Sequence, residues 1–100
     1  MSLAKRRPIR MPKLLSAADG EACTVCGCQD GTVVFCHLNE SWAGKGMSQK
    51  ADDCAGFFGC RRCHDFYDRR SNGPIRLTDG VILRAYYRTV RRLIEKGVLR

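Results

Sequence analysis

Cys60-Arg61-Arg62-Cys63-His64-Asp65-Phe66-Tyr67-Asp68 is the stretch that decides the fold. It joins a C-x2-C pair to a histidine and then, one helical turn on, to a carboxylate. Side chains at i and i+4 share a helix face, so His64 and Asp68 are expected to meet. A C-x2-C pair clamps a metal ion from a tight turn, and a second pair lies upstream at Cys23-Thr24-Val25-Cys26. Zinc takes four thiolates tetrahedrally at about 2.3 Å, and such a site is closed and structural. Thirty-three residues separate Cys26 from Cys60, so a zinc on Cys23, Cys26, Cys60 and Cys63 would staple distant segments together. Cys28 is the alternative to Cys26. Cys36 and Cys54 read as small buried hydrophobes. A redox C-x-x-C would need a thioredoxin-like βαβ chain, and this chain is too short for one.

Working outward, Gln29-Asp30-Gly31 predicts a turn and Thr32-Val33-Val34-Phe35 a strand, with His37 at its end. Leu38 to Gly56 reads as a long polar loop, and Phe57-Phe58 as a second strand paired with the first. Cys60 to Arg70 reads as a turn opening into a helix, stopped by Ser71-Asn72-Gly73-Pro74. Thr78 or Asp79 then caps a last helix that runs to about Lys96 and closes at Gly97. Ile82, Tyr86, Val90, Leu93 and Ile94 supply its apolar stripe, while Arg84, Arg88, Arg91 and Arg92 occupy much of the remaining surface. Residues 1 to about 18 are basic, carry Pro8 and Pro12, and predict a flexible or extended arm that is either a solvated tail or a phosphate contact.

The chain has 100 residues, enough for one domain with a marginal core. Its seven cysteines are an odd count, which suits metal binding better than a disulfide framework. The formal net charge of +8 favours an anionic partner. No apolar stretch approaches the roughly 18 residues of a membrane span. Lys5, Arg6, Arg7, Arg10 and Lys13 are followed by no apolar run, so no secretory signal is expected. The expected compartment is the cytoplasm, where thiols stay reduced.

Only two histidines are present, His37 and His64. An imidazole and a carboxylate one turn apart make a half-site for a divalent cation. Asp65 is placed to assist it through water or by orienting His64. If the two strands pair and the zinc joins both knuckles, His37 is brought towards His64 and Asp68. Such a set suits phosphodiester hydrolysis: a neutral His37 takes a proton from water, and a metal on His64 and Asp68 stabilises charge on the phosphate. The alternative makes His64 a fifth or replacement zinc ligand and leaves Asp68 simply pairing with Arg69, Arg70 or a helix neighbour. Gly44-Lys45-Gly46 lacks the rest of a phosphate-loop pattern, so no nucleotide cofactor is expected. A glycine loop against the DNA backbone, anchored by Trp42 and Met47, is the reading kept.

In order and spacing, the C-x2-C pair, His37-Leu38-Asn39, Gly44-Lys45-Gly46-Met47, Lys50-Ala51-Asp52-Asp53, and Cys60 to Asp65 with Asp68-Arg69-Arg70 resemble the YbcO-like group of small phage and prophage nucleases. These are related to zinc-containing His-Asn-His endonucleases. The resemblance covers roughly Cys23 to Arg70. It implies a ββα-metal fold, with His37 as general base and His64 and Asp68 as ligands of a catalytic Mg or Mn ion. It puts Asp52 and Asp53 at an acidic position without assigning them a chemical role. Two residues depart from the His-Asn-His pattern: Cys36 stands where a metal ligand precedes the first histidine, and Ala55 stands where the middle Asn orients the base.

The architecture expected is therefore α+β: a zinc-stapled ββα-metal domain over residues 21–100, with a basic arm over 1–20 and an added C-terminal helix. The activity expected is metal-dependent hydrolysis of DNA by an endonuclease, with RNA as a further substrate candidate and a phage recombination or packaging protein as partner. The competing class is a non-catalytic zinc-ribbon-like nucleic-acid binder.

Overall fold

Antiparallel pairing of two short strands organises the chain. The computed structural model describes residues 8–38, 51–68 and 78–99. The elements are α1 (Pro12–Ser16), β1 (Val34–His37), β2 (Gly56–Gly59), α2 (Arg61–Asp68) and α3 (Asp79–Glu95), an α+β arrangement. The glycine loop, its Trp42 and Met47 anchors, and the stop at 71–74 lie outside the described residues.

The register sets Phe35 opposite Phe58, Cys36 opposite Phe57 and His37 opposite Gly56. Side chains alternate across a strand pair, so the hairpin has two apolar faces. Phe35 and Phe58 pack with Leu14, Cys23, Cys60, Cys63 and Leu93. Cys36 and Phe57 pack with Leu38, Ala51, Tyr67, Ile82 and Ala85. Gly56 is a strand residue, not the loop end that the sequence suggested. A Cβ there would come within 2.5 Å of the Cys36 carbonyl and would run into the Phe35 ring, so only glycine lets the strands close. β1 begins at Val34, two residues later than expected. Asp30 Oδ1 accepts from both the amide and the hydroxyl of Thr32, which holds Thr32 in the turn.

α3 lies along the outer edge of β2. Phe58 turns its amide and carbonyl away from β1. The amide donates to Thr89 Oγ1 at 2.9 Å, and the carbonyl accepts from Thr24 N and Thr24 Oγ1 at 2.8 and 2.7 Å. A helix and a knuckle thus cover a strand edge that would otherwise be open. Thr78 caps α3 by accepting from Val81 N. Gly97, at φ 76°, ends it with Val98 N donating to Leu93 O at 2.9 Å. The buried stripe is Ile82, Ala85, Thr89 and Leu93. Ile94, expected in the core, is exposed, as are Leu83 and Tyr87. Replacing Thr89 with Val keeps the volume but strands the Phe58 amide. It should cost about 1–3 kcal/mol, read as a lowered midpoint in chemical denaturation.

The arm expected over residues 1 to about 18 gives way at Pro12. Proline suits the first turn of a helix because its missing N–H would be unsatisfied there anyway. α1 follows, with Leu14 fully buried. Residues 9–11 lie against residues 51–53, the end of the expected loop: Asp53 N donates to Ile9 O at 2.9 Å, and Arg10 Nη1 to Ala51 O at 2.9 Å. Ala51, Asp52 and Asp53 are all buried.

Candidate metal centre and active site

Cys23, Cys26, Cys60 and Cys63 place their sulfurs within 4.8 Å of one another. Tetrahedral coordination at about 2.3 Å requires sulfur–sulfur edges of about 3.8 Å, and Cys26 Sγ and Cys60 Sγ stand 3.7 Å apart. That separation is far beyond a disulfide bond, and all seven cysteines are free thiols. The donor set fits a metal ion such as zinc. Cys26, not Cys28, completes it, and His64 is no member of it. The first knuckle is shaped by Gly27 at φ 82°, whose amide donates to Cys23 O at 2.9 Å. The second sits between β2 and α2, with His64 N donating to Cys60 O at 2.8 Å.

Burial works to raise the Cys23 thiol, but the backbone amides of Cys26, Cys60 and Val25 outweigh it and lower the thiol's pKa. Cys60 and Cys63 are raised, by burial first, with the neighbouring Cys23 thiolate adding to it. Metal binding must therefore displace protons, and affinity for the ion rises with pH. Of the two remaining cysteines expected to be buried, Cys36 is, and its thiol is pushed up to about 12, chiefly by burial. Cys54 is exposed, a correction to that expectation.

His64 and Asp68 meet on α2 as their spacing predicts, with Nε2 and Oδ2 3.4 Å apart and side chains 39% and 50% exposed. Two adjacent nitrogen and oxygen donors open to solvent suit a hard divalent ion that keeps waters in its other positions. Asp65 is exposed on the same helix. Among the described residues, the four cysteines are the only grouping of three or more potential metal ligands. His37, expected to be drawn towards this pair, does not join it in a metal-ligating group among the described residues.

His37 occupies the end of β1, as expected, with its ring edge-on to Phe35 at 5.5 Å between centroids. Strand alternation turns it to the face opposite Cys36. Its Nε2 lies 2.9 Å from Asp53 Oδ1. Asp53 is 3% exposed, and its other oxygen accepts from Met11 N at 2.7 Å. Burial works to raise this carboxyl, but hydrogen bonds from His37 and Met11, with the His37 and Arg10 charges, hold it below the usual range. No local spacing rule pairs residues 16 apart across a loop. The signal was only an acidic pair at the loop's end.

Glu21 is likewise held low, first by Arg92, whose Nε donates to Oε1 at 2.7 Å, and further by Lys96. A carboxyl with a lowered folded pKa contributes stability above its unfolded value of about 4 and loses it as pH falls through the folded value. Stability should therefore decline as pH drops below about 5. Glu21→Gln should flatten that decline, as read from denaturation midpoints across a pH series.

A family model described as "Putative nuclease YbcO" matches residues 12–98. No curated protein and no solved structure matches the chain.

Proposed function

The chain belongs to the YbcO family, and from that premise we propose that it is a metal-dependent endonuclease that hydrolyses DNA phosphodiester bonds. The observation that carries this reading is the His64–Asp68 pair, two solvent-facing donors on a helix whose first turn the cysteine centre pins. The four cysteines hold a structural zinc. His64 and Asp68 hold a second divalent ion, Mg or Mn, which when bound supplies charge stabilisation at the phosphate and the leaving oxygen.

The chain's own groups do the rest. His37 accepts a proton from the attacking water through Nδ1, the ring nitrogen that Asp53 does not engage. Exposed Arg61, on the first turn of α2, and Arg84 and Arg88, on α3, hold flanking phosphates. The net charge of +8 draws the polyanion in, so binding weakens steeply with salt. No helix among the described residues is long and apolar enough to cross a membrane. A cytoplasmic location fits the free thiols.

The test is nicking of supercoiled plasmid by zinc-loaded protein, with and without added Mg²⁺ or Mn²⁺. Metal-dependent conversion to open circles is expected. Salt-sensitive binding with no cleavage of duplex, single-stranded or branched DNA would replace this reading with a zinc-bound nucleic-acid binder.

A further inference from the structure

We propose that Asp53 is the positioning residue of His37, fixing which ring nitrogen carries the proton and tying that choice to the segment 9–11. The inference rests on the reading of His37 as the base. Asp53 is nearly sealed from solvent and uses both oxygens: Oδ1 faces His37 Nε2 at 2.9 Å, and Oδ2 accepts from Met11 N at 2.7 Å. Its own amide donates to Ile9 O, and the neighbouring Asp52 accepts from Ile9 N at 3.0 Å. The Arg10 guanidinium lies 3.9 Å from Oδ1. This ring of donors keeps the carboxyl ionised, and an ionised carboxylate only accepts hydrogen bonds. A neutral His37 must then carry its hydrogen on Nε2, which leaves the lone pair on Nδ1 to take a proton from water.

The placement answers a gap in the sequence. Ala55 stands where the His-Asn-His pattern puts the residue that orients the base, and its methyl group cannot bond to an imidazole. Asp53, two residues earlier, does bond to it. The same carboxylate holds the backbone of the segment running into α1, so segment and ring are fastened by one side chain. Sequence spacing could not reveal this, because the bond spans the residues between the two strands.

Two readouts decide the matter. With only two histidines in the chain, side-chain ¹⁵N NMR separates His37 from His64 readily. Wild-type protein at a pH where His37 is neutral should show a protonated Nε2 and a bare Nδ1, whether or not any substrate is cut. Asp53→Asn presents an amide that can donate to Nε2 instead. It should mix or reverse the tautomers and lower kcat by about 10²–10⁴-fold with KM little changed. Asp52→Asn, which can still accept from Ile9, should leave both readouts near wild type. A wild-type His37 protonated on Nδ1 would overturn the proposal, as would Asp53→Asn turning over at the wild-type kcat. If the wild type cuts nothing while its tautomer is fixed as described and lost in Asp53→Asn, the nuclease reading falls and Asp53 still sets the ring.

Discussion

Stripping the metal from the Cys23, Cys26, Cys60 and Cys63 centre is expected to unfold the protein. Structural zinc in small domains is worth roughly 10 to 16 kcal/mol at neutral pH, while the net stability of a domain is about 5 to 15 kcal/mol. The location makes the dependence strong. Cys23, Cys60 and Cys63 belong to the same apolar cluster as Leu14, Phe35, Phe58 and Leu93, so an ion bound by them would sit at the edge of the core. It would join the first knuckle to the exit of β2 and the start of α2. Without it, buried Cys23, Cys60 and Cys63 and exposed Cys26 hold four sulfurs within 4.8 Å of one another with no ion to bind them together. Chelation at neutral pH should abolish the cooperative thermal transition, and Cys60→Ser should purify without zinc. Acidification should release the metal as well, because Cys60 and Cys63 hold their protons tightly once the ion leaves. A Cys60→Ser protein with one zinc per chain and an unchanged melting temperature would contradict this.

His64→Ala and Asp68→Asn are expected to remove nicking and leave the fold intact. A metal's charge stabilisation at a phosphate is worth several kcal/mol, and each 1.4 kcal/mol is a factor of ten. The loss in rate should therefore reach at least about 10²-fold. Both side chains are well exposed and neither belongs to the cysteine cluster. Zinc content and melting temperature should accordingly stay near wild type. Raising the Mn²⁺ concentration should recover part of the Asp68→Asn activity, since His64 remains as a donor. Full activity in both variants would remove the second metal from the account. Loss of zinc in either would place His64 and Asp68 in the structural centre instead.

What the sequence revealed was what depends on local spacing. The two C-x2-C pairs and the i, i+4 relation of His64 to Asp68 follow from short-range backbone geometry, and both are formed. The hairpin was legible from its paired apolar runs, and the last helix from Thr78 and Gly97. The misreadings arose where tertiary contacts overrode local signals. Pro12 looked like a breaker but starts a helix that buries Leu14. Thr89 is polar, yet it lies in the buried stripe because it satisfies the Phe58 amide, while the more apolar Ile94 faces solvent. Asp52 and Asp53 fell within a long polar loop and carried no assigned chemical role. They are buried because backbone amides from residues 9 and 11, together with His37, supply their hydrogen bonds.

The central claim is that His37, at the end of β1, is the base of a phosphodiester hydrolase. The most direct measurement is the initial rate of plasmid nicking by zinc-replete His37→Ala beside wild type, at equal protein and saturating Mg²⁺ or Mn²⁺. The account predicts metal-dependent nicking by the wild type and a fall of about 10²–10⁴-fold in the variant, with zinc content and DNA binding unchanged. Equal rates in the two proteins would contradict it.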